Sequence, residues 1–166
     1  MPQRLVPFAI AFGVFALDRF TKSIIERLVT IWDAHVVIPG FFQIIHTENR
    51  GAAFSMLAES SSEVRSFVLI GLSLLILGII AALLWNSSSR LSHEHWTLRF
   101  GLSLVFGGAL GNVYDRVTRG AVTDFLDLYV GELHWPTFNV ADCAISIGAG
   151  LMLLSLWLGR REAVRT

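Results

Sequence analysis

Asp124 and Asp142 each sit among apolar residues, in Ala121-Val122-Thr123-Asp124-Phe125 and Phe138-Asn139-Val140-Ala141-Asp142. Two carboxyls held close together cannot both ionise cheaply, so one pKa rises and the pair shares a proton. Such a pair can cut a peptide bond. The ionised carboxylate takes a proton from water, while the protonated one polarises the carbonyl and later helps the amine leave. A plainer reading makes Asp124 a loop aspartate and Asp142 a lone helix carboxylate with a hydrogen-bond partner, because residues paired in sequence need not meet in space. Further polar residues interrupt apolar stretches. Asp18 and Lys22 are four apart on one helix face and can pair, either to neutralise each other at a membrane edge or to meet a substrate. Asn112, Asp115 and Arg116 share a face at i, i+3 and i+4. There Arg116 can grip a carboxylate in a two-point fork, as part of a structural network or as support for a site. Asn139 lies one turn before Asp142.

Other chemistries lack their residues. The chain has no G-x-S-x-G, no H-E-x-x-H and no P-loop, so it lacks the serine-hydrolase, zincin and nucleotide motifs. His93-Glu94-His95 lies in a polar loop and reads as solvated. No metal and no cofactor is expected. The single cysteine, Cys143, excludes internal disulfides and a cysteine-based zinc cage, and reads as a small apolar filler with no base partner on its helix.

The elements that would position these groups are membrane helices. The 166 residues make one domain's worth of chain. Charged residues are only 16%, hydrophobic ones 54%, and the formal net charge is zero. The mean hydropathy is +0.61. A nucleic-acid binder needs a basic face and a disordered chain needs high charge, so both are excluded. A bilayer core takes about 20 helical residues to cross. Four segments qualify, over residues 5–25, 66–85, 97–113 and 140–158, with Ser66 to Trp85 free of any charge. The first is not a cleaved signal peptide, because its apolar run ends in Asp18-Arg19-Phe20-Thr21-Lys22 without a small-x-small site. Arg4, Arg90, Arg99, Arg160, Arg161 and Arg165 are denser per residue than Arg27, Arg50, Arg65, Arg116 and Arg119 on the other side, so both termini are expected in the cytoplasm.

The two outer connections carry structure of their own. Between His35 and Thr47, two β-branched and aromatic runs flank Pro39-Gly40, the pair a type II turn wants, so a hairpin is expected. Ser60-x-x-Glu63 fits a capping box, where a helix would begin and lead into the second span. Val122 to Val130 and His134 to Phe138 read as strands. Residues 86–95 read as a plain inner loop.

Five stretches together resemble the lipoprotein signal peptidases, or signal peptidase II, over nearly the whole chain. They are Asp18-Arg19-Phe20-Thr21-Lys22, Asn49-Arg50-Gly51-Ala52-Ala53-Phe54, Gly107 through Asn112 with Asp115-Arg116, Val122-Thr123-Asp124-Phe125, and Phe138-Asn139-Val140-Ala141-Asp142. The resemblance implies a mostly α membrane protein in a bacterial inner membrane, with four transmembrane helices. It adds a small extracytoplasmic β-cradle and a short helix over the site. It implies Asp124 and Asp142 as the catalytic dyad, with Asp18, Lys22, Asn49, Gly51, Asn112, Asp115, Arg116 and Asn139 in support. Asn49 and Arg116 would donate to the substrate backbone, and Arg19 and Arg50 receive no role. The implied substrate is a prolipoprotein whose cysteine carries diacylglycerol, cut just before that cysteine, with membrane lipid around it. No nucleic acid and no obligatory protein partner is expected. Two other classes fit less well. A proton-coupled transporter would place carboxylates at mid-membrane in repeated halves, and a purely structural subunit has no need of Asp124.

Overall fold

The computed structural model describes residues 5–51, 62–89 and 96–163. Most of them lie in four helices: α1 (Val6–Leu28), α2 (Ser62–Ser89), α3 (Trp96–Arg119) and α4 (Val140–Ala163). Strands β1 (Ala34–Ile38) and β2 (Phe42–Asn49) follow α1, and β3 (Val122–Val130) and β4 (Leu133–His134) follow α3. They form one antiparallel sheet in the order β1-β2-β3-β4. Each helix falls on one of the four expected segments. Two of them, over Phe67–Asn86 and Val140–Gly159, are long and apolar enough to cross a membrane, with mean hydropathies of 3.0 and 1.7. They leave Phe67, Leu75, Leu153 and Leu156 exposed. An apolar surface of that extent belongs against lipid or another protein. α1 and α3 occupy the other two segments but carry several charges, most of them toward their C-terminal ends.

α3 is the central helix, and its glycines show why. A Cβ at Gly107 or Gly111 would strike Ala11 or Asp18 of α1, and one at Gly101 or Gly108 would strike the Gly148 or Ala141 carbonyl of α4. The two pairs thus serve two neighbours from two faces. Small residues let membrane helices approach until backbones touch, so the Gly107–Gly111 spacing brings α1 close. On a third side, Leu102 packs with Ile80 and Leu84 of α2.

The hairpin forms at the expected turn. The Phe41 N–H donates to the Ile38 carbonyl at 3.1 Å, and Gly40 takes a φ of +75°, which glycine adopts at no steric cost. β2 pairs β3 with Ile44 opposite Leu126 and Thr47 opposite Asp124. β2 therefore holds one extra residue there, a bulge that twists the strand beside Asp124. The expected strand from His134 to Phe138 is not formed as one. β4 is only Leu133–His134, and Phe138 returns as an isolated bridge to Leu126. Pro136 interrupts the run, since proline brings no N–H to a ladder. The expected short helix near Ser60, residues 52–61, and His93-Glu94-His95 lie outside the described residues; Glu63 falls within α2.

Candidate active site

The start of α4 sets the first carboxyl. Asn139 caps the helix: its Oδ1 accepts from the Asp142 N–H at 3.0 Å, while Asp142 Oδ2 accepts from the Asn139 N–H at 3.2 Å. This reciprocal box satisfies two helix-end donors at once. The bonds that begin the helix are thus the bonds that aim Asp142. The neighbouring Ala141 N–H donates to Asp18 Oδ1 at 3.0 Å, which fastens α1 to the same helix end.

Asp124 comes from β3 and meets the same asparagine. Asn139 Nδ2 donates to its Oδ1 at 2.6 Å, and Asn49 Nδ2 donates to its Oδ2 at 3.0 Å. Asn49 is held in turn, because its Oδ1 accepts from the Gly51 N–H at 2.9 Å, and Gly51 has a φ of +93° that side chains rarely allow. The Thr47 hydroxyl donates to the Asp124 carbonyl at 3.1 Å. Asn139 therefore bonds both carboxyl residues, and these lie close enough to feel each other's charge. Among the described residues no cation pairs with either carboxyl; Asn49, Asn112 and Asn139 supply the donors. Burial is the main cause that pushes the Asp124 pKa up to about 6, the Asp142 charge adds to the rise, and the Asn49 and Asn139 amides and Lys22 oppose it.

Behind the pair lies a buried ionic cluster. Lys22, with no solvent exposure, forms ion pairs with Asp18 Oδ2 at 2.9 Å and Asp115 Oδ2 at 2.8 Å and donates a hydrogen bond to Asn112 Oδ1 at 2.9 Å. The last bond has a consequence at the pair. An Asn112 oxygen turned to Lys22 leaves the amide nitrogen for Asp142, which receives it at 2.8 Å. Asp18 and Lys22 do pair, and the pair extends to α3. The two-point fork expected of Arg116 does not form: its Nη1 donates only a long 3.4 Å bond to the Asn112 carbonyl, though its charge acts on Asp142, Asp124 and Asp115. Asn49 serves Asp124 with one of the two N–H groups of its amide.

Sequence reasoning passed over two groups. Arg19 pairs with Asp115 and lies over the Tyr114 ring at 4.9 Å. Glu26 accepts from the Thr123 hydroxyl at 2.9 Å and pairs with Arg119, so it ties α1 and α3 to the residue before Asp124. The signal for Glu26 was present, because 18, 22 and 26 repeat at a helical four. Glu26→Ala is expected to lower turnover by about tenfold through misplacement of β3 with little change in KM, and Glu26→Asp to restore part of it. An unchanged turnover number would remove Glu26 from the positioning set. From outside, Asp142 borders a cleft of about 470 Å³ lined by Leu128, Trp135, Phe138, Cys143 and Ile147, while Asn49 and Arg116 border a small cavity with Leu69 of α2.

The same frame occurs in known proteins. A family model described as signal peptidase (SPase) II matches residues 10–158. A lipoprotein signal peptidase of Solibacter usitatus (strain Ellin6076) is 49% identical over 164 residues, covering 98% of each chain. One from Geobacter sulfurreducens is 41% identical over 148 residues, covering 89% of each. A bacterial membrane enzyme solved in meso at 1.9 Å superposes with a TM-score of 0.73 at 32% identity, covering 90% of this chain and 91% of that one. Likeness over nearly the full length places this chain in the signal peptidase II family of membrane peptidases.

Proposed function

We propose that the chain is an aspartyl endopeptidase that removes the signal peptide from diacylglyceryl prolipoproteins, cutting just before the lipidated cysteine. The observation that carries this is the pair itself. Asp124 and Asp142 are bridged by one asparagine and lack a cation partner among the described residues, and Asp142 borders a cleft. Carboxyls held by neutral amides keep a proton available, whereas a lysine or arginine partner would fix them ionised. The ionised member deprotonates water, which attacks the peptide carbonyl polarised by the protonated member. The proton then passes to the leaving amine, and the pair returns to its singly protonated state. No metal or acyl-enzyme enters these steps. The whole chain, residues 1–166, acts as one domain. All four helices cross the membrane, both termini are cytoplasmic, and the sheet and the pair lie at the outer surface of a bacterial inner membrane. The substrate's signal helix arrives through the bilayer and its acyl chains stay there, which holds the scissile bond at one depth. A transporter reading is weaker, because the two carboxyls lie at one end of the helices with the sheet over them.

Matched peptides with and without diacylglycerol on the cysteine, assayed in the same micelles, test the substrate. The unmodified peptide should be cut far more slowly, in turnover as well as in binding, since remote binding energy positions the bond. Equal catalytic efficiency on both would sink the lipoprotein reading and leave the carboxyl pair standing.

Two further outcomes follow from the site. With Asp124 at about 6, the fraction of enzyme holding the shared proton falls about tenfold per pH unit above that value. kcat/KM should therefore fall as pH rises from 6 to 8, and a flat profile across that range would contradict a shared proton. Chelators should leave activity intact, and Cys143→Ala should still cleave, because a thiol without a base is a poor nucleophile. Inhibition by a chelator that one added metal reverses would count against the mechanism. A bulky reagent on Cys143 is another matter, since that thiol lines the cleft beside Asp142 and an adduct there would obstruct it.

A further inference from the structure

α1 and α3 touch closely at Gly107 and Gly111, but not at their other end. There a cleft of about 410 Å³ opens between Val6, Pro7 and Ile10 of α1 and Trp96, Arg99 and Phe100 of α3. Among the described residues its walls are apolar apart from Ser103 and one charge. Arg99 is half-buried, and among the described residues no carboxylate or other acceptor meets its guanidinium; only its carbonyl is engaged, by the Ser103 hydroxyl at 2.7 Å. Trp96 stands exposed at the rim, where an aromatic ring marks the membrane–water boundary. A partly buried cation without a counter-charge calls for an anion, and an apolar cleft behind it calls for a hydrocarbon body. A guanidinium also matches the oxygens of a phosphate two at a time.

We propose that this cleft binds an anionic phospholipid of the cytoplasmic leaflet, with an acyl chain between α1 and α3 and the phosphate on Arg99. Basic pockets between membrane helices on that side select anionic headgroups. A zwitterionic lipid brings its own ammonium, which competes with Arg99 for the phosphate. The acyl chain packs against the apolar cleft walls. The lipid would also brace α1, the helix that carries Asp18, Lys22 and Glu26 into the site. The leaflet assignment rests on the orientation proposed above.

The test uses the full-length protein in detergent. Native mass spectrometry measures retention of phosphatidylglycerol against phosphatidylcholine with identical chains, and melting is followed in parallel. Phosphatidylglycerol should be retained about fivefold better, the worth of one cation near an anionic headgroup. Arg99→Gln should erase that preference and Arg99→Lys should keep part of it. Ile10→Trp, which fills the cleft without touching Arg99, should lower retention of both lipids. Inorganic phosphate, without a chain, should not raise the melting temperature. Equal retention of the two lipids by the wild type, or an Arg99→Gln protein that keeps the preference, overturns the proposal. Should Arg99→Gln fail to fold, Ile10→Trp and Arg99→Lys decide it. Cleavage of the lipopeptide, measured on the same samples, keeps the two readings apart. Preference without cleavage refutes the peptidase function alone, and cleavage without preference refutes the lipid site alone.

Discussion

Asp124→Asn and Asp142→Asn should each lower turnover by about a thousandfold or more while the protein stays folded, because an amide can neither take a proton from water nor return one to the amine. Folding should survive for a structural reason. An asparagine at 142 keeps an oxygen for the Asn139 N–H, so the cap of α4 persists. At 124, the two donors from Asn49 and Asn139 lose one acceptor of two, a smaller cost than an unpaired charge. The two carboxyls act as one unit, so the double variant should be little slower than either single one. Turnover of a lipopeptide, with the melting temperature of each variant as the check on folding, measures this. Near-normal turnover in either single variant would end the assignment.

Lys22→Met should be the most damaging change to stability. It removes the only lysine at the cluster and strands Asp18 and Asp115, both wholly buried, a loss on the order of 3–5 kcal/mol when one partner of a buried pair goes. Arg19 still reaches Asp115, but among the described residues nothing else cationic meets Asp18. Adding Asp18→Asn and Asp115→Asn should return much of the stability, because the stranded charges go with the lysine. Activity should not return with it. Without Lys22 only the long 3.4 Å bond from Asn139 still holds the Asn112 oxygen, so the donor to Asp142 at 2.8 Å is less firmly aimed. Thermal inactivation and turnover of the single and triple variants separate the two effects. A single variant as stable as the parent would mean that the buried cluster ionises differently from its geometry.

Much of this was legible in the chain. The four helices, the Pro39-Gly40 turn and the strand carrying Asp124 each follow from local pattern, because apolar runs, turn residues and β-branched runs act within a few residues. The pairing of Asp18 with Lys22 follows from spacing alone. The meeting of Asp124 with Asp142 does not: it depends on Asn139, which serves both as a helix cap and as a bridge, and a cap looks the same in sequence whatever its nitrogen does. The partners of Arg19 and Glu26 lie across the bundle, so no local pattern holds them. The failed strand at His134–Phe138 was local, and Pro136 was the sign to weigh.

The ion pair within α1 bears on how the protein is made. In the proposed four-span arrangement the chain enters the membrane in the order of its synthesis, and α1 comes first. Asp18 and Lys22 are four residues apart on that one helix, so the newborn segment carries its own counter-charge and asks nothing of helices still unmade. Asp115 arrives later, on α3, and finds Lys22 already in place. Asp142 comes last and meets Asn112 waiting. Asp18 thus enters together with its partner, and Asp115 and Asp142 enter after theirs, so no intermediate along the way leaves one of these three carboxylates bare in lipid. Transposing the lysine from α1 to α4 would preserve the finished cluster and yet expose Asp18 and Asp115 during assembly.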